Sequence, residues 1–258
     1  MSDSPVRRHG AAFLPPALVF VIAVTLAEVL IRVLQVPQYL LPPPSAILQT
    51  LRREGSELWG AAMETGWAAL VGFLMSAAGG VLAAIVLSSA AWVQRAFYPY
   101  AVFFQTVPVI AIAPLLVVWL GYGPPTVVAS AFIVSVFPVV ANTLAGLLST
   151  DPALRDLFRL YGATWPATLL KLRLPFALPA VLTGLRIAAG LAVIGAIVGE
   201  FIAGGGLGGV IDVSLTQQRV DKVFAGVLLA SVLGLTLFLA INLISRLVLR
   251  RWHASEQV

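Results

Sequence analysis

One stretch of the chain constrains the fold more than any other: residues 96–150 are 55 consecutive positions without Asp, Glu, Lys, Arg or His. A membrane-spanning helix needs about 20 largely apolar residues, so this stretch is too long for one crossing. Residues 121–125 read Gly-Tyr-Gly-Pro-Pro, and Gly and Pro together favour a turn and end a helix. The stretch therefore predicts two spans, at residues 97–120 and 126–148, that are joined by a tight turn.

The rest of the chain has the same character. Four further apolar runs predict spans at residues 11–31, 65–87, 175–202 and 223–249. Charged residues make up only 10% of the chain, against about 25% in an ordinary globular domain, and 60% of the residues are apolar. This composition excludes a soluble domain and a disordered chain. We expect an all-α, polytopic membrane protein with six transmembrane helices.

Several functional classes are disfavoured by the residue types that the chain lacks. It has no cysteine, and its two histidines, His9 and His253, lie near opposite ends of the sequence. Thiol nucleophiles, metal sites and the common intramembrane enzymes are therefore not expected, and neither is a cofactor. The net charge of +5 is better explained by basic residues at the ends of spans than by nucleic acid.

The distribution of Lys and Arg predicts the orientation. With both termini in the cytoplasm, ten basic residues lie inside and five outside. The inner set is Arg7, Arg8, Arg95, Arg155, Arg159, Lys171, Arg173, Arg246, Arg250 and Arg251. The outer set is Arg32, Arg52, Arg53, Arg219 and Lys222. Residues 1–10 and 251–258 are then cytoplasmic tails that flank a membrane domain of residues 11–250.

Two outer connections carry local signals. Residues 41–44 read Leu-Pro-Pro-Pro, and Ser45 is the expected N-cap of a short helix along the membrane surface. Residues 204–209 contain five glycines. They are not a phosphate-binding loop, because no Gly-Lys-Ser/Thr follows them, and we expect a flexible external turn.

The longest inner connection, residues 151–173, predicts two short helices. Asp151 is a suitable N-cap with Pro152 at the first helical position, and Gly162 is suited to end the first helix. Thr164 is the expected cap of the second helix. Leu157 and other apolar residues of the first helix recur at helical spacing. Such an amphipathic helix either lies on lipid headgroups or docks into a groove on a partner protein.

The same loop resembles the signature of binding-protein-dependent ABC transporter permeases, which is written EAA, three residues, Gly, nine residues, Ile-x-Leu-Pro. Gly162 is followed after nine residues by Leu172, and Leu174 and Pro175 match the end of the signature. The EAA positions fall on Asp156, Leu157 and Phe158, which is a departure from the pattern. Further stretches are similar to the nitrate, sulfonate, taurine and pyrimidine-precursor import branch of the family, at residues 40–45, 108–123, 137–143 and 178–186.

The resemblance implies a permease subunit of an importer in the inner (plasma) membrane, not an enzyme. It implies four kinds of partner: a second permease copy, two ATPase subunits, an extracytoplasmic substrate-binding protein and the lipid bilayer. ATP and Mg²⁺ would bind to the ATPase subunits. The loop would act as a coupling helix whose contact residues are Asp156, Leu157, Phe158, Tyr161, Gly162, Leu174 and Pro175. The alternative is a secondary transporter or channel that works alone.

Charged and small residues within the spans give weaker predictions. Arg186 lies near mid-bilayer, where it either lines the translocation path and attracts an anion or pairs with another group to fix helix packing. Glu200 and Glu28 lie near outer span ends, where solvation at the interface is cheap. Glu28 is expected to be structural and Glu200 to belong to the path, as part of an outer gate. The Gly195–Gly199 pair predicts close helix contact, either between two copies or within one chain.

Overall fold

The computed structural model describes residues 5–252, with side chains from residue 15 to residue 249. Those residues form helices and contain no β-strand, which confirms the all-α class. The helices are α1 (Pro5–Val33), α2 (Pro44–Arg53), α3 (Gly55–Leu87), α4 (Ala91–Thr106), α5 (Val109–Leu120), α6 (Pro124–Leu148), α7 (Pro152–Leu160), α8 (Trp165–Thr168), α9 (Leu174–Ala203), α10 (Gly206–Thr216) and α11 (Val220–Trp252).

Five of the six predicted spans are continuous helices that are long and apolar enough to cross a membrane, namely α1, α3, α6, α9 and α11. The third predicted span, at residues 97–120, is not one continuous helix. That segment is broken into α4 and α5, whose axes meet at 97°. Pro108 has no N–H for a helical bond, and Val107 before it adopts the extended conformation that a following proline favours (φ −73°, ψ 122°).

The centre of the molecule is a three-helix core of α3, α6 and α9, in which small residues let the backbones approach closely. A Cβ added at Gly72 of α3 would lie 2.5 Å from the Cβ of Ala131 on α6. One added at Gly146 of α6 would lie 2.8 Å from the Cβ of Ala180 on α9. The buried side chains of the cluster around the first contact are all alanine or valine. In a bilayer such close packing stabilises helix association, because lipid tails are as apolar as the side chains.

Gly195 and Gly199 belong to this core. A Cβ at Gly195 would lie 2.8 Å from the Cα of Ala131, and one at Gly199 would lie 2.9 Å from the Cα of Val127, both on α6 of the same chain. Of the two alternatives for this pair, packing within one chain is therefore the correct one.

Glu28 joins α1 to α2. Its carboxylate accepts hydrogen bonds from the backbone N–H of Ser45 at 2.9 Å and from its hydroxyl at 2.8 Å, and it pairs with Arg32 at 2.6 Å. The structural role expected for Glu28 is confirmed. The expected N-cap role of Ser45 was wrong, because Pro43 occupies the cap position and Ser45 bonds to Glu28 instead.

The glycine run after α9 is also more ordered than the sequence predicted. Gly204 and Gly205 have positive φ, and the chain then turns directly into α10, which packs against α3, α9 and α11. The expectation of a flexible turn was therefore wrong. The glycines are needed for the sharp reversal and for the close approach of α10 to side chains of α3 and α9.

Candidate functional site

The amphipathic helix α7 begins and ends where the sequence predicts. The carboxylate of Asp151 accepts a hydrogen bond from the N–H of Ala153 at 2.8 Å, and Pro152 is the first helical residue. At the other end Gly162 has φ +68°. The N–H of Gly162 donates to the carbonyl of Arg159, and the N–H of Ala163 donates to the carbonyl of Phe158. These two bonds form a Schellman motif, which satisfies carbonyls that the helix end leaves free.

The apolar face of α7 is uncovered in the single chain. Leu160 is 85% exposed and Tyr161 is 83% exposed, and Leu157 is also exposed, while Phe158 is half-buried. Asp156 is exposed and lies 3.7 Å from Arg159. An exposed ion pair of that length contributes little to stability. With Leu154, which is also exposed, the structure therefore presents four large apolar side chains on a short helix and its C-cap.

The loop is anchored to the membrane helices by a residue that the sequence analysis assigned only to the inner charge set. Arg173 is 8% exposed, and its Nε donates to the carbonyl of Leu147 at 3.1 Å while its Nη1 donates to that of Ser88 at 3.2 Å. Leu147 lies in the last turn of α6, and Ser88 caps the end of α3. Arg173 thus occupies carbonyls at the ends of two core helices, where a cation is favoured.

The second half of the loop is part of the fifth span and not a separate helix. α8 continues through a π-helical turn, Leu169–Arg173, into α9, so Trp165–Ala203 is one helical segment. The hydroxyl of Thr164 makes no capping bond. Leu169 is buried in the core, and Leu174 and Pro175 are half-buried in the same segment. The second half of the loop is therefore continuous with α9.

Arg186 lies in the middle of α9, away from the loop. Its Nε is buried and has no hydrogen-bond partner, and among the described residues it forms no ion pair. A packing role for Arg186 requires a partner group, and the described residues supply none. Thr183, Ile187 and Ile194 are exposed along α9 close to it.

Glu200 is buried and is not solvated at an interface as its position near a span end suggested. It is 2% exposed, and its Oε2 accepts hydrogen bonds from the N–H of Gly208 at 2.8 Å and from the hydroxyl of Thr65 at 3.0 Å. Thr65 also accepts from the N–H of Leu207, and Glu64 accepts from that of Gly206. These side chains of α3 and α9 satisfy the first three N–H groups of α10.

The residues predicted as sites thus form separate groups. The coupling residues cluster at the α7 end, whereas Glu200 lies 14 positions beyond Arg186, which is about 21 Å along a helix. The roles of Thr65 and Glu64 were not predicted from the sequence. Their only signal is polar side chains within an otherwise apolar run.

The family model described as "binding-protein-dependent transport system inner membrane component" matches residues 56–253. A formylaminopyrimidine transport permease protein, ThiX, of Halalkalibacterium halodurans is 37% identical over 92% of this chain and 95% of its own length. A probable ABC transporter permease protein of Haemophilus influenzae is 34% identical over 89% of this chain and 94% of its own. A putative aliphatic sulfonates transport permease protein, SsuC, of Bacillus subtilis is 29% identical over 84% and 79%, respectively.

Among solved structures, a chain of the MetNI methionine ABC transporter in an inward-facing conformation is similar in fold. The TM-score is 0.60 at 20% sequence identity, and the match covers 78% of this chain and 97% of that chain. At this identity the likeness concerns the fold alone.

Proposed function

Because the chain belongs to the family of binding-protein-dependent transport system inner membrane components, and is thus an ABC transporter permease, we propose that residues 151–173 couple it to a separate ATPase. In this proposal α7 docks into a groove of the ATPase. The ATPase binds ATP and Mg²⁺, and its movement is passed through α8 to α9. The permease itself forms the path for a small solute.

The observation that carries this proposal is the combination of an exposed apolar face with a rigid attachment. The side chains of Leu157, Leu160 and Tyr161 are exposed, although the helix that bears them is capped at both ends. Such a face favours docking into a groove, which buries the apolar side chains. Arg173 and the continuous segment Trp165–Ala203 connect the loop to the core, and this connection supports transmission of a displacement of α7 to α9.

The test is to replace Leu157 and Leu160 with Asp, since both side chains are exposed and their loss should not affect folding. Burial of one leucine contributes about 1.5–3 kcal/mol, so the double variant should weaken ATPase binding at least about a hundredfold. The measurement is recovery of the ATPase with an affinity-tagged permease, together with ATP hydrolysis and solute uptake.

The matched control is Leu48→Asp, which changes an exposed leucine on α2, at the opposite end of the molecule. It should leave the ATPase bound. Full recovery of the ATPase with the Leu157/Leu160 variant would contradict the coupling role. If no ATPase accompanies the wild-type permease and uptake persists, the alternative of a stand-alone secondary transporter or channel would be correct.

We further propose that two permease copies form one path, that a substrate-binding protein docks on the α10 side, and that both termini are cytoplasmic. Support for the orientation comes from the count of basic residues, because ten Lys and Arg residues lie on the α7 side and five on the opposite side.

The proposed solute is a small molecule of the kind that the relatives' names give, a formylaminopyrimidine or a sulfonate, within a range that also includes nitrate and taurine. We propose that Arg186 lines the path, because its buried Nε lacks a partner and a guanidinium offers directed donors to an anion. We also propose Glu200 as part of the outer gate, since it holds the start of α10.

The role of Arg186 is tested by uptake per assembled complex for Arg186→Lys and Arg186→Gln. If the solute is an anion that Arg186 attracts, the Lys variant should retain part of the uptake and the Gln variant should lose it. Assembly and basal ATP hydrolysis should be unchanged in both. Unchanged uptake with Arg186→Gln would contradict a role in the path.

A further inference from the structure

A cationic cavity lies between α7 and the turn that joins α3 to α4. Its volume is about 470 Å³. The residues that line it are Ser88, Ser89, Ala90, Ala91, Gln94, Leu148, Arg155, Arg159, Ala163, Trp165, Thr168 and Arg173. Three of them carry a guanidinium, and none of the described lining residues carries a carboxylate.

The three arginines of this cavity have donors to spare. Arg173 uses Nε and Nη1 for the carbonyls of Leu147 and Ser88, and its remaining N–H groups make no hydrogen bond to another described residue. Arg155 lines the same cavity as Arg173, so the two positive charges repel each other. The one carboxylate near Arg159 is that of Asp156, in a long and exposed pair. An anion bound between the arginines would relieve the repulsion and would accept hydrogen bonds from the N–H groups that have no partner.

A second, apolar cleft opens on the other side of the same turn. Its volume is about 390 Å³, and it is lined by Ala83, Val86, Leu87, Val93, Phe97, Ala101 and Val140. These residues belong to α3, α4 and α6 and all have apolar side chains. The two linings adjoin along the chain, because Leu87 of the cleft precedes Ser88 of the cavity and Val93 precedes Gln94, where α3 ends and α4 begins.

We propose that the cavity and the cleft form one binding site for an anionic phospholipid. The phosphate lies between Arg155, Arg159 and Arg173, and an acyl chain lies in the cleft between α3 and α4. A free phosphate or an acidic side chain of the ATPase would use the cationic cavity alone, whereas a phospholipid uses both parts. The amphipathic Trp165 at the cavity suits the level of lipid headgroups. The lipid belongs to the leaflet on the α7 side.

The test is native mass spectrometry of the detergent-purified permease–ATPase complex, titrated with phosphatidylglycerol or with phosphatidylcholine of the same chain length. Phosphatidylglycerol should bind at least about tenfold more tightly, which corresponds to about 1.4 kcal/mol. Arg155→Gln together with Arg159→Gln should remove that preference. Lys171→Gln is the matched control, because Lys171 is an exposed cation of the same loop that lines neither part. It should retain the preference.

The cleft is tested separately with Ala101→Trp, or with Val93→Phe if the first variant does not fold. Either should weaken phosphatidylglycerol binding while the arginines remain. If the cleft variants bind the lipid normally and inorganic phosphate displaces it, the site takes a free anion and the lipid assignment is wrong. If the lipid binds the permease alone but is displaced by the ATPase, the arginines serve a protein carboxylate instead. Equal binding of the two lipids would also overturn the proposal.

Discussion

The close contact between α9 and α6 makes Gly195 intolerant of even one added carbon. A Cβ there would lie 2.8 Å from the Cα of Ala131 and 2.8 Å from the carbonyl oxygen of Ser130, whereas ordinary contacts begin at 3.4 Å. Both neighbours are backbone atoms, so α6 and α9 must move apart by about 0.6 Å to bring these distances from 2.8 Å to the ordinary 3.4 Å. Overpacking of this kind costs about 2–3 kcal/mol, which the gain of about 1 kcal/mol in helix propensity only partly offsets.

The matched control is Gly60→Ala in α3, because a Cβ at Gly60 has nothing within 4 Å. That variant should be stabilised by up to about 1 kcal/mol, so the two should differ by about 2–3 kcal/mol. For a chain of this size the difference amounts to about 5–10 °C in Tm. The assay is thermal unfolding of each purified permease in the same detergent. If Gly195→Ala melts at or above the wild-type temperature, the intrachain contact is not as close as described.

Three further changes test particular contacts. Arg173→Gln removes the charge that occupies the ends of α3 and α6, so it should lower both the uptake and the Tm, with a loss of about 1–3 kcal/mol in stability. Arg173→Lys should recover part of the Tm. An unchanged Tm in both variants would refute the role of Arg173 as an anchor. Glu200→Ala should free the start of α10 and make its amides exchange faster with deuterium. Glu200→Gln should exchange more slowly than Glu200→Ala, because its amide oxygen can still accept from both Gly208 and Thr65, which bond to the same oxygen of Glu200. Unchanged exchange in Glu200→Ala would contradict this role. The hydrogen bonds from Arg219 and Lys222 lower the pKa of Glu54 below 4.5, so its stabilising contribution is present above that pH and is lost as the pH falls through the lowered value. Glu54→Gln should therefore flatten the acid limb of the stability–pH curve, and an unaltered acid limb would exclude this contribution.

The parts of the fold that depend on neighbouring residues in the sequence were predictable. Asp151 and Gly162 act on backbone groups within five positions of themselves, so local sequence was enough to predict both ends of α7. The apolar runs likewise predict five continuous spans, since span length is set by the bilayer. The break at Pro108 had a local signal as well, but a proline in an apolar run is compatible with a bend or with a full break.

The contacts that depend on tertiary apposition were not predictable. Arg173 reaches the carbonyl of Ser88, which is 85 positions away, and Glu200 meets Thr65 across 135 positions. A lone sequence gives no signal for such pairs, because several polar residues in the apolar runs have the same local surroundings. The same limit applies to Gly195, whose spacing from Gly199 indicates close contact without indicating which helix it meets.

The proposed docking of α7 on an ATPase is tested most directly by crosslinking, because the chain has no native cysteine. Single cysteines at Tyr161, which is 83% exposed, and at Tyr39, which is 64% exposed beyond the far end of α1, give a matched pair. In the assembled complex a short bifunctional reagent should join Tyr161→Cys to the ATPase, in a product with the mass of one permease and one ATPase. Tyr39→Cys should give no such product. An ATPase product from Tyr39→Cys and none from Tyr161→Cys would contradict the coupling role of α7.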